Sequence, residues 1–469
     1  MNIKIQDFDS KFDDTSLISS KDDDNQSTDI QVQKQQTRIL NQVYFLFNMS
    51  LYVFAALSFS ILNQDIKKAR DDDFINLSYL ASYMFISEIC ASVVWGFVSD
   101  KIGRKKALNI SLIGSALTMT LTGFCKSFNS FAFIYALLGA FSCSGILIKT
   151  MLAESNCRES RPKAFSSLAI KRFIACALGV SFAAIYDMVL DRDTTSINGV
   201  PYIIPSLVAS GISVGAYIIS NRYLSETLND KRAYLDEYDI AGISTDQIMI
   251  STKSTQVRIF GLKFSKNSII LIAVASLLNL IYKGYFVISQ SWPTMELSKG
   301  GLNLKFEHIS VVKLLFSIIL FTILIKYPYI YKKIGALKLF KVSFSAAGIL
   351  FIFSLILTLI AKIGSTFIVL SLYAILFSIK MGIALLKDIT FDLLLADSAE
   401  DSGNLGTLFG ISNILFGAIY LVVSYLSITF SDLSIENNLP FPLNYSCTWF
   451  LAILSLVGYW LSLKIKHTA

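Results

Sequence analysis

From about residue 39 onward the chain alternates between apolar runs of at least 17 residues and short polar connections. The runs fall at 39–62, 74–98, 107–125, 128–152, 164–189 and 202–220. After a hydrophilic connection at 221–266 they resume at 267–290, 309–325, 340–361, 365–394, 405–428 and 447–463. About 20 residues of α-helix, rising about 1.5 Å each, cross the hydrocarbon of a bilayer. A helix also satisfies its backbone polar groups internally, as lipid demands. The pattern therefore predicts an all-α polytopic membrane protein with twelve transmembrane helices, six on each side of the central connection.

Residues 1–37 are polar and acid-rich, with Asp13-Asp14 and Asp22-Asp23-Asp24, and contain no apolar stretch of signal-peptide type. They read as a disordered cytoplasmic tail. The expected organisation is this tail, an N-terminal bundle at 38–220, a cytoplasmic middle loop at 221–266 and a C-terminal bundle at 267–469. Cations set the orientation, because Lys and Arg concentrate in cytoplasmic loops. Lys101, Arg104, Lys105, Lys106, Arg158, Arg161, Lys163, Lys332, Lys333, Lys338 and the middle loop fall on one side. On the other side Lys67, Lys68 and Arg70 are matched by Asp65, Asp71, Asp72 and Asp73. Both termini are then cytoplasmic, with the plasma membrane and an endomembrane both open as locations. One connection runs against the bias: Asp397-Ser398-Ala399-Glu400-Asp401 is acidic yet falls on the cytoplasmic side.

Composition agrees with a membrane protein, at 54% hydrophobic and 16% charged residues. The net charge of +7 is spread over short connections rather than gathered in one patch, which speaks against a nucleic-acid partner. The six cysteines show no paired spacing and there are two histidines, so neither a metal site nor a disulfide framework is expected, and no cofactor. No G-x-x-x-x-G-K-[ST] occurs to bind ATP. An embedded transferase would need clustered acids, bases or metal ligands at one face, so an enzyme is not expected.

The most informative connection is Gly96-Phe97-Val98-Ser99-Asp100-Lys101-Ile102-Gly103-Arg104-Lys105-Lys106. Its glycines permit close backbone approach, and Asp100 sits among cations with which it can pair. The spacing G-x-x-x-D-x-x-G-R-K-K resembles the loop between the second and third helices of the major facilitator superfamily of secondary transporters. A weaker copy, Tyr327 to Lys338, occupies the eighth-to-ninth connection, where Gly335 aligns with Gly103 but the acid is lost. Further stretches narrow the resemblance: Glu88 to Gly96, Pro201 to Pro205, Leu224-Ser225-Glu226-Thr227-Leu228, Asp397-Ser398-Ala399 and Leu405 to Gly410. Together they are similar to the zinc-induced facilitator-like transporters and their fungal relatives. The chain departs from that pattern at Tyr135, which stands where relatives have the Arg of R-x-x-x-G, and at Gly179-Val180-Ser181, where they have Gly-Pro.

The resemblance implies two pseudo-symmetric six-helix bundles that exchange access between the two membrane faces. It also places Asp100 opposite the start of the eleventh helix, where Gly406 and Thr407 offer free N–H groups. Gly96, Asp100, Gly103, Arg104, Lys105, Gly406 and Thr407 are thus the expected gating set. An ionisable group within the hydrocarbon is costly unless it finds a partner or a cavity. Glu88 lies about 12 Å up the second helix from Gly96, at about 1.5 Å per residue, and is the expected proton carrier. Lys149, Lys283 and Lys380, with Asn48, Tyr282 and Tyr373, are the expected substrate contacts, because the resemblance puts them on cavity-lining helices. Such a cavity favours a small organic or phosphorylated anion. The expected partners are that solute, protons and the lipid bilayer, with the chain working as a monomer. A transport-inactive sensor or scaffold, and an exporter of cationic drugs or metal chelates, are the competing readings.

Overall fold

The computed structural model describes residues 31–56, 73–125, 128–189, 203–228, 256–259, 262–297, 301–398, 404–436 and 446–463. Residues 1–30 of the expected tail, most of the middle loop and the acids at 400–401 lie outside them. Thirteen helices among the described residues build twelve spans. They are α1 (Gln31–Ala56), α2 (Asp73–Ile102), α3 (Arg104–Thr122), α4 (Phe128–Phe141), α5 (Ser144–Ser155), α6 (Arg161–Val189) and α7 (Ile203–Tyr223). The second half has α8 (Lys266–Ser291), α9 (Phe306–Ile334), α10 (Ala336–Ile363), α11 (Thr366–Ser398), α12 (Leu405–Glu436) and α13 (Ser446–Ser462). α4 and α5 form one span interrupted by a turn at Ser142-Cys143. A two-stranded antiparallel hairpin, β1 (Gln256–Ile259) and β2 (Leu262–Ser265), runs directly into α8.

Packing follows the pseudo-twofold relation between the halves. α3 lies against α7 as α10 lies against α13, and the halves meet where α2 packs on α12 and α6 on α9. On α10 the division of labour is visible in the spacing. Phe340, Phe344, Ala347, Phe351 and Leu355 are buried, while Ile349, Ile352, Phe353, Ile356 and Leu359 stay exposed, as a face turned to lipid requires. Lipid tails are as apolar as leucine, so helices associate through close packing and small residues instead of hydrophobic burial. Along α2 and α12 that closeness is extreme: a Cβ on Gly96 would lie 2.5 Å from the Gly406 carbonyl oxygen, and one on Gly410 would lie 2.6 Å from that of Ser92.

The internal duplication is clearest in two turns. Gly103 before α3 and Gly335 before α10 are the positive-φ glycines of the described residues, at 103° and 83°. Both allow the chain to reverse within one residue, a conformation that L side chains rarely adopt. Pro328 inside α9 has no N–H to give the Leu324 carbonyl. Ser166 of α6 supplies the missing donor at 2.5 Å, so the helix defect becomes a tie between the halves.

α1 begins seven residues before the expected bundle boundary of 38. The extra turns are held by polar contacts: Gln33 donates to Ser160 at 3.4 Å, Thr37 and Asn156 are joined at 2.9 Å, and Gln36 accepts from the Ser225 N–H at 3.2 Å.

Candidate functional site

Two constellations occupy the contact between the halves. The first is built on the α2–α3 turn. The N–H groups that open α12 have no partner within their own helix. Asp100 takes the Thr407 N–H at 3.0 Å and also accepts from the Thr407 hydroxyl. Its other oxygen pairs with Arg104, whose side chain is completely buried. Arg104 reaches Glu154 of α5 at 2.8 Å and the Ser99 hydroxyl at 2.8 Å. Glu154 in turn accepts from Thr227 at 2.7 Å. Glu226 caps α3, taking the N–H groups of Arg104 at 2.7 Å and Lys105 at 3.1 Å, and it fills the space beside Gly103. Four separate segments are thereby tied to one guanidinium and its neighbours.

The second constellation is a cavity of about 280 Å³ between α1, α5, α6, α9 and α11. Its polar wall consists of Tyr44, Tyr52, Lys149, Arg172, Asp388 and Asp392. Lys149 of the first half and Asp392 of the second form an ion pair at 2.8 Å across the cavity. Lys387 is bound to Asn279 at 2.8 Å and to Asp388 at 2.5 Å. Arg172 makes no ion pair among the described residues, and its guanidinium has a 3.4 Å contact with the Tyr52 hydroxyl. Below the cavity, Arg161 at the start of α6 binds Asp397 at the end of α11 at 2.7 Å, with Arg158 at 3.6 Å. That pair accounts for Asp397, the described acid of the connection that opposed the charge bias, which sits against cations of the opposite half.

A sequence model described as the Major Facilitator Superfamily matches residues 43–424. The chain belongs to that superfamily. Relatives include a probable peptide/nitrate transporter of Arabidopsis thaliana, 25% identical over 62% of each chain. A major facilitator superfamily multidrug transporter, mfsB, of Aspergillus fumigatus is 28% identical over 41% of this chain and 35% of its own length. The Arabidopsis thaliana protein Zinc Induced Facilitator 1 is 23% identical over 61% of each chain. The match thus spans about 62% of the first relative's length. Among solved structures, the human organic anion transporter MFSD10 superposes with a TM-score of 0.63 at 14% identity, over 92% of this chain and 99% of the other. A bacterial homologue of the iron transporter ferroportin, in an outward-facing state with soaked iron, gives 0.64 at 14% identity, over 92% and 98%. These likenesses establish the fold, and the superfamily makes the chain a multi-pass membrane protein of a transporter family.

Within this superfamily fold the expected residues separate into groups. Gly96, Asp100, Gly103, Arg104, Lys105, Gly406 and Thr407 come together in the first constellation. Lys149 lies on the cavity wall. Lys283 is exposed, with its ammonium 5.2 Å from the centre of the Tyr420 ring and within electrostatic reach of Asp388 and Arg172. The Glu88 carboxyl stands within electrostatic reach of Arg172. The other four lie off the described cavity wall. Asn48 bonds the Tyr44 carbonyl of its own helix at 2.8 Å, and Tyr282 donates to the Ser343 carbonyl at 3.0 Å. Lys380 is buried inside the second half, 2.6 Å from the Ser354 hydroxyl and 3.3 Å from the centre of the Tyr285 ring. Tyr373 is buried against Trp292 and Phe377. Helix rotation decides these outcomes, because residues on one helix point in all directions although they share a depth. Tyr44, Tyr52 and Glu154 are the site residues that sequence reasoning missed; Arg172, Asp388 and Asp392 are legible as ionisable groups within spans and Glu226 as part of the Leu224 to Leu228 stretch, although their place in the site is not.

Proposed function

We propose that the protein is a secondary active transporter that works by alternating access and carries a small anion, organic or phosphorylated, with protons. The observation that carries the reading is the cavity between the halves and its charge balance. Asp388 is matched by Lys387 and Asp392 by Lys149, which leaves Arg172 on the wall and Lys283 nearby without ion pairs among the described residues. A guanidinium open to the cavity, with the Tyr52 hydroxyl 3.4 Å away and Tyr44 on the same wall, is a good receptor for a carboxylate or phosphate. The positive-inside rule makes the face of the α2–α3 turn cytoplasmic. The ties from Asp100 to α12 and from Arg161 to Asp397 then hold that side shut, which favours the outward-facing state. Glu88 is the proton carrier of this reading, since a carboxyl facing Arg172 can exchange its proton as the substrate anion arrives and leaves.

A second reading rests on Asp388 and Asp392: two carboxylates on one wall suit a cationic drug or metal chelate. Flux into proteoliposomes under an imposed pH gradient separates the two. The panel is lactate, malate, citrate, glucose 6-phosphate and inorganic phosphate, against tetraphenylphosphonium and Zn(II). Anion flux driven by the gradient, reduced at least tenfold in Arg172→Ala and uncoupled from the gradient in Glu88→Gln, is the expected result. Cation flux alone would replace the substrate class, and no flux for either would favour a sensor or scaffold.

A further inference from the structure

Lys380, which the fold withdraws from the central cavity, is 4% exposed and lies among α8, α10 and α11 of the second half. Its ammonium donates to the Ser354 hydroxyl at 2.6 Å and stands 3.3 Å from the centre of the Tyr285 ring and 5.0 Å from that of Phe351. Ser354 gives its own proton to the Leu350 carbonyl at 3.0 Å, so towards the lysine it serves only as an acceptor. One of three N–H groups is thereby satisfied, and the ring faces attract the charge without cancelling it. Among the described residues no carboxylate pairs with Lys380 or lies within electrostatic reach of it. Asp388, the next acid along α11, is about two turns away and bound to Lys387.

Two donors beside the lysine are also unspent. The hydroxyls of Tyr285 and Tyr373 are buried, and neither meets a hydrogen-bond partner among the described residues. Tyr285 lies beside Ser354 and within electrostatic reach of Tyr373. Tyr373 stands seven residues before Lys380, on the same face of α11, and a helical lysine leans towards that end of its helix. On the outer side Trp292 packs on Tyr373, and Trp292, Leu302 and Leu304 bury themselves in the same apolar cluster, with the Leu304 N–H bound to the Pro293 carbonyl at 2.9 Å. A buried cation without a counter-ion and two buried hydroxyls without acceptors have one remedy in common, a small anion that accepts from all three. A water molecule would take the hydroxyl protons and leave the charge uncancelled.

We propose that the second half holds one halide ion, chloride being the abundant one, between the Lys380 ammonium and the hydroxyls of Tyr285 and Tyr373. One lysine fixes the charge of the ligand at one. The dry, aromatic surroundings favour ions that are cheap to dehydrate, so bromide and chloride bind in preference to fluoride or sulfate. The ion joins α8 to α11 within one bundle and is not carried, since Lys380, Tyr285, Tyr373 and Ser354 all lie off the wall of the central cavity. The inference is independent of the anion reading above, in which the transported solute is held by Arg172.

The test exchanges the purified full-length protein into sodium gluconate, titrates it with sodium chloride, bromide or fluoride at constant ionic strength, and reads thermal unfolding in detergent. The melting temperature of wild type is expected to rise saturably with chloride and bromide but not with fluoride. Lys380→Met is expected to lose the response. The double variant Tyr285→Phe/Tyr373→Phe, which removes only the two hydroxyl oxygens and decides the matter if Lys380→Met does not fold, is expected to weaken the apparent halide affinity at least tenfold. Arg172→Ala is expected to keep the response. Crystals grown in bromide should show the anomalous signal of bromine beside Lys380. A wild-type melting temperature indifferent to halide, or a response unchanged in a folded Lys380→Met protein or in the double tyrosine variant, overturns the proposal and leaves the anion reading of the cavity intact. A response lost in Arg172→Ala also overturns it and moves the halide to the central cavity.

Discussion

A guanidinium with no exposure to water is costly unless its N–H groups find acceptors, and Arg104 meets that condition with Asp100, Glu154 and Ser99. Asp100 has the harder task, because it must hold Arg104 within its own half and the start of α12 in the other. Asp100→Asn keeps the size of the side chain but removes the charge that attracts both. The halves are expected to separate more readily on that side, with transport slowed severalfold. Labelling of an Ala396→Cys probe by a membrane-impermeant maleimide, in a background without native cysteines, should rise correspondingly, since Ala396 is buried in the closed arrangement. Unchanged labelling and unchanged flux would exclude a latch at this residue. The acid, the cation and the glycines of this turn were legible in the sequence because they are adjacent in the chain. The contacts that Glu154 and Glu226 make with this turn were not, since each lies at least 50 residues from Arg104 and only the fold brings it near.

At the scale of elements, the spans could be read from apolar length, and the resemblance of the α2–α3 turn supplied the pairing of the two halves. Which face of each span turns inward could not be read. Helices that are apolar on all sides carry little amphipathic signal, and in lipid the inner and outer surfaces are chemically alike. That is why Lys380, with a depth in its span similar to that expected of a cavity residue, ends inside the second half, whereas Arg172 reaches the cavity wall. The contact of α2 with α12 depends on the absence of side chains. Gly410→Leu would drive carbon into the Ser92 backbone and is expected to lower stability by about 1–3 kcal/mol. Thermal unfolding in detergent checks this, and a melting temperature within error of wild type would mean that α12 can retreat from α2 without loss. Substitution of Gly211, where an added Cβ meets nothing, is the matched control.

At the scale of the molecule, the ties between halves come from different helix pairs and different chemistry. They comprise a helix terminus held by a carboxylate, ion pairs at Asp392 and Asp397, a proline-freed carbonyl and a glycine seam. Each is modest alone, and several must yield together before the molecule can change shape. Such arrangements switch between discrete states instead of deforming continuously. Glu226 and Thr227 add a consequence for how the chain is made. Leu224 to Leu228 precedes the described hairpin, yet its polar groups are spent entirely on the first half, as cap of α3 and partner of Glu154. The first half therefore finishes its own surface before the second half needs to exist. Two separately synthesised polypeptides, ending and starting within 229–255, should accordingly assemble in the same membrane and co-purify through a tag on one of them. Recovery of the tagged fragment alone would mean that covalent continuity, and not the seam between the bundles, holds the carrier together.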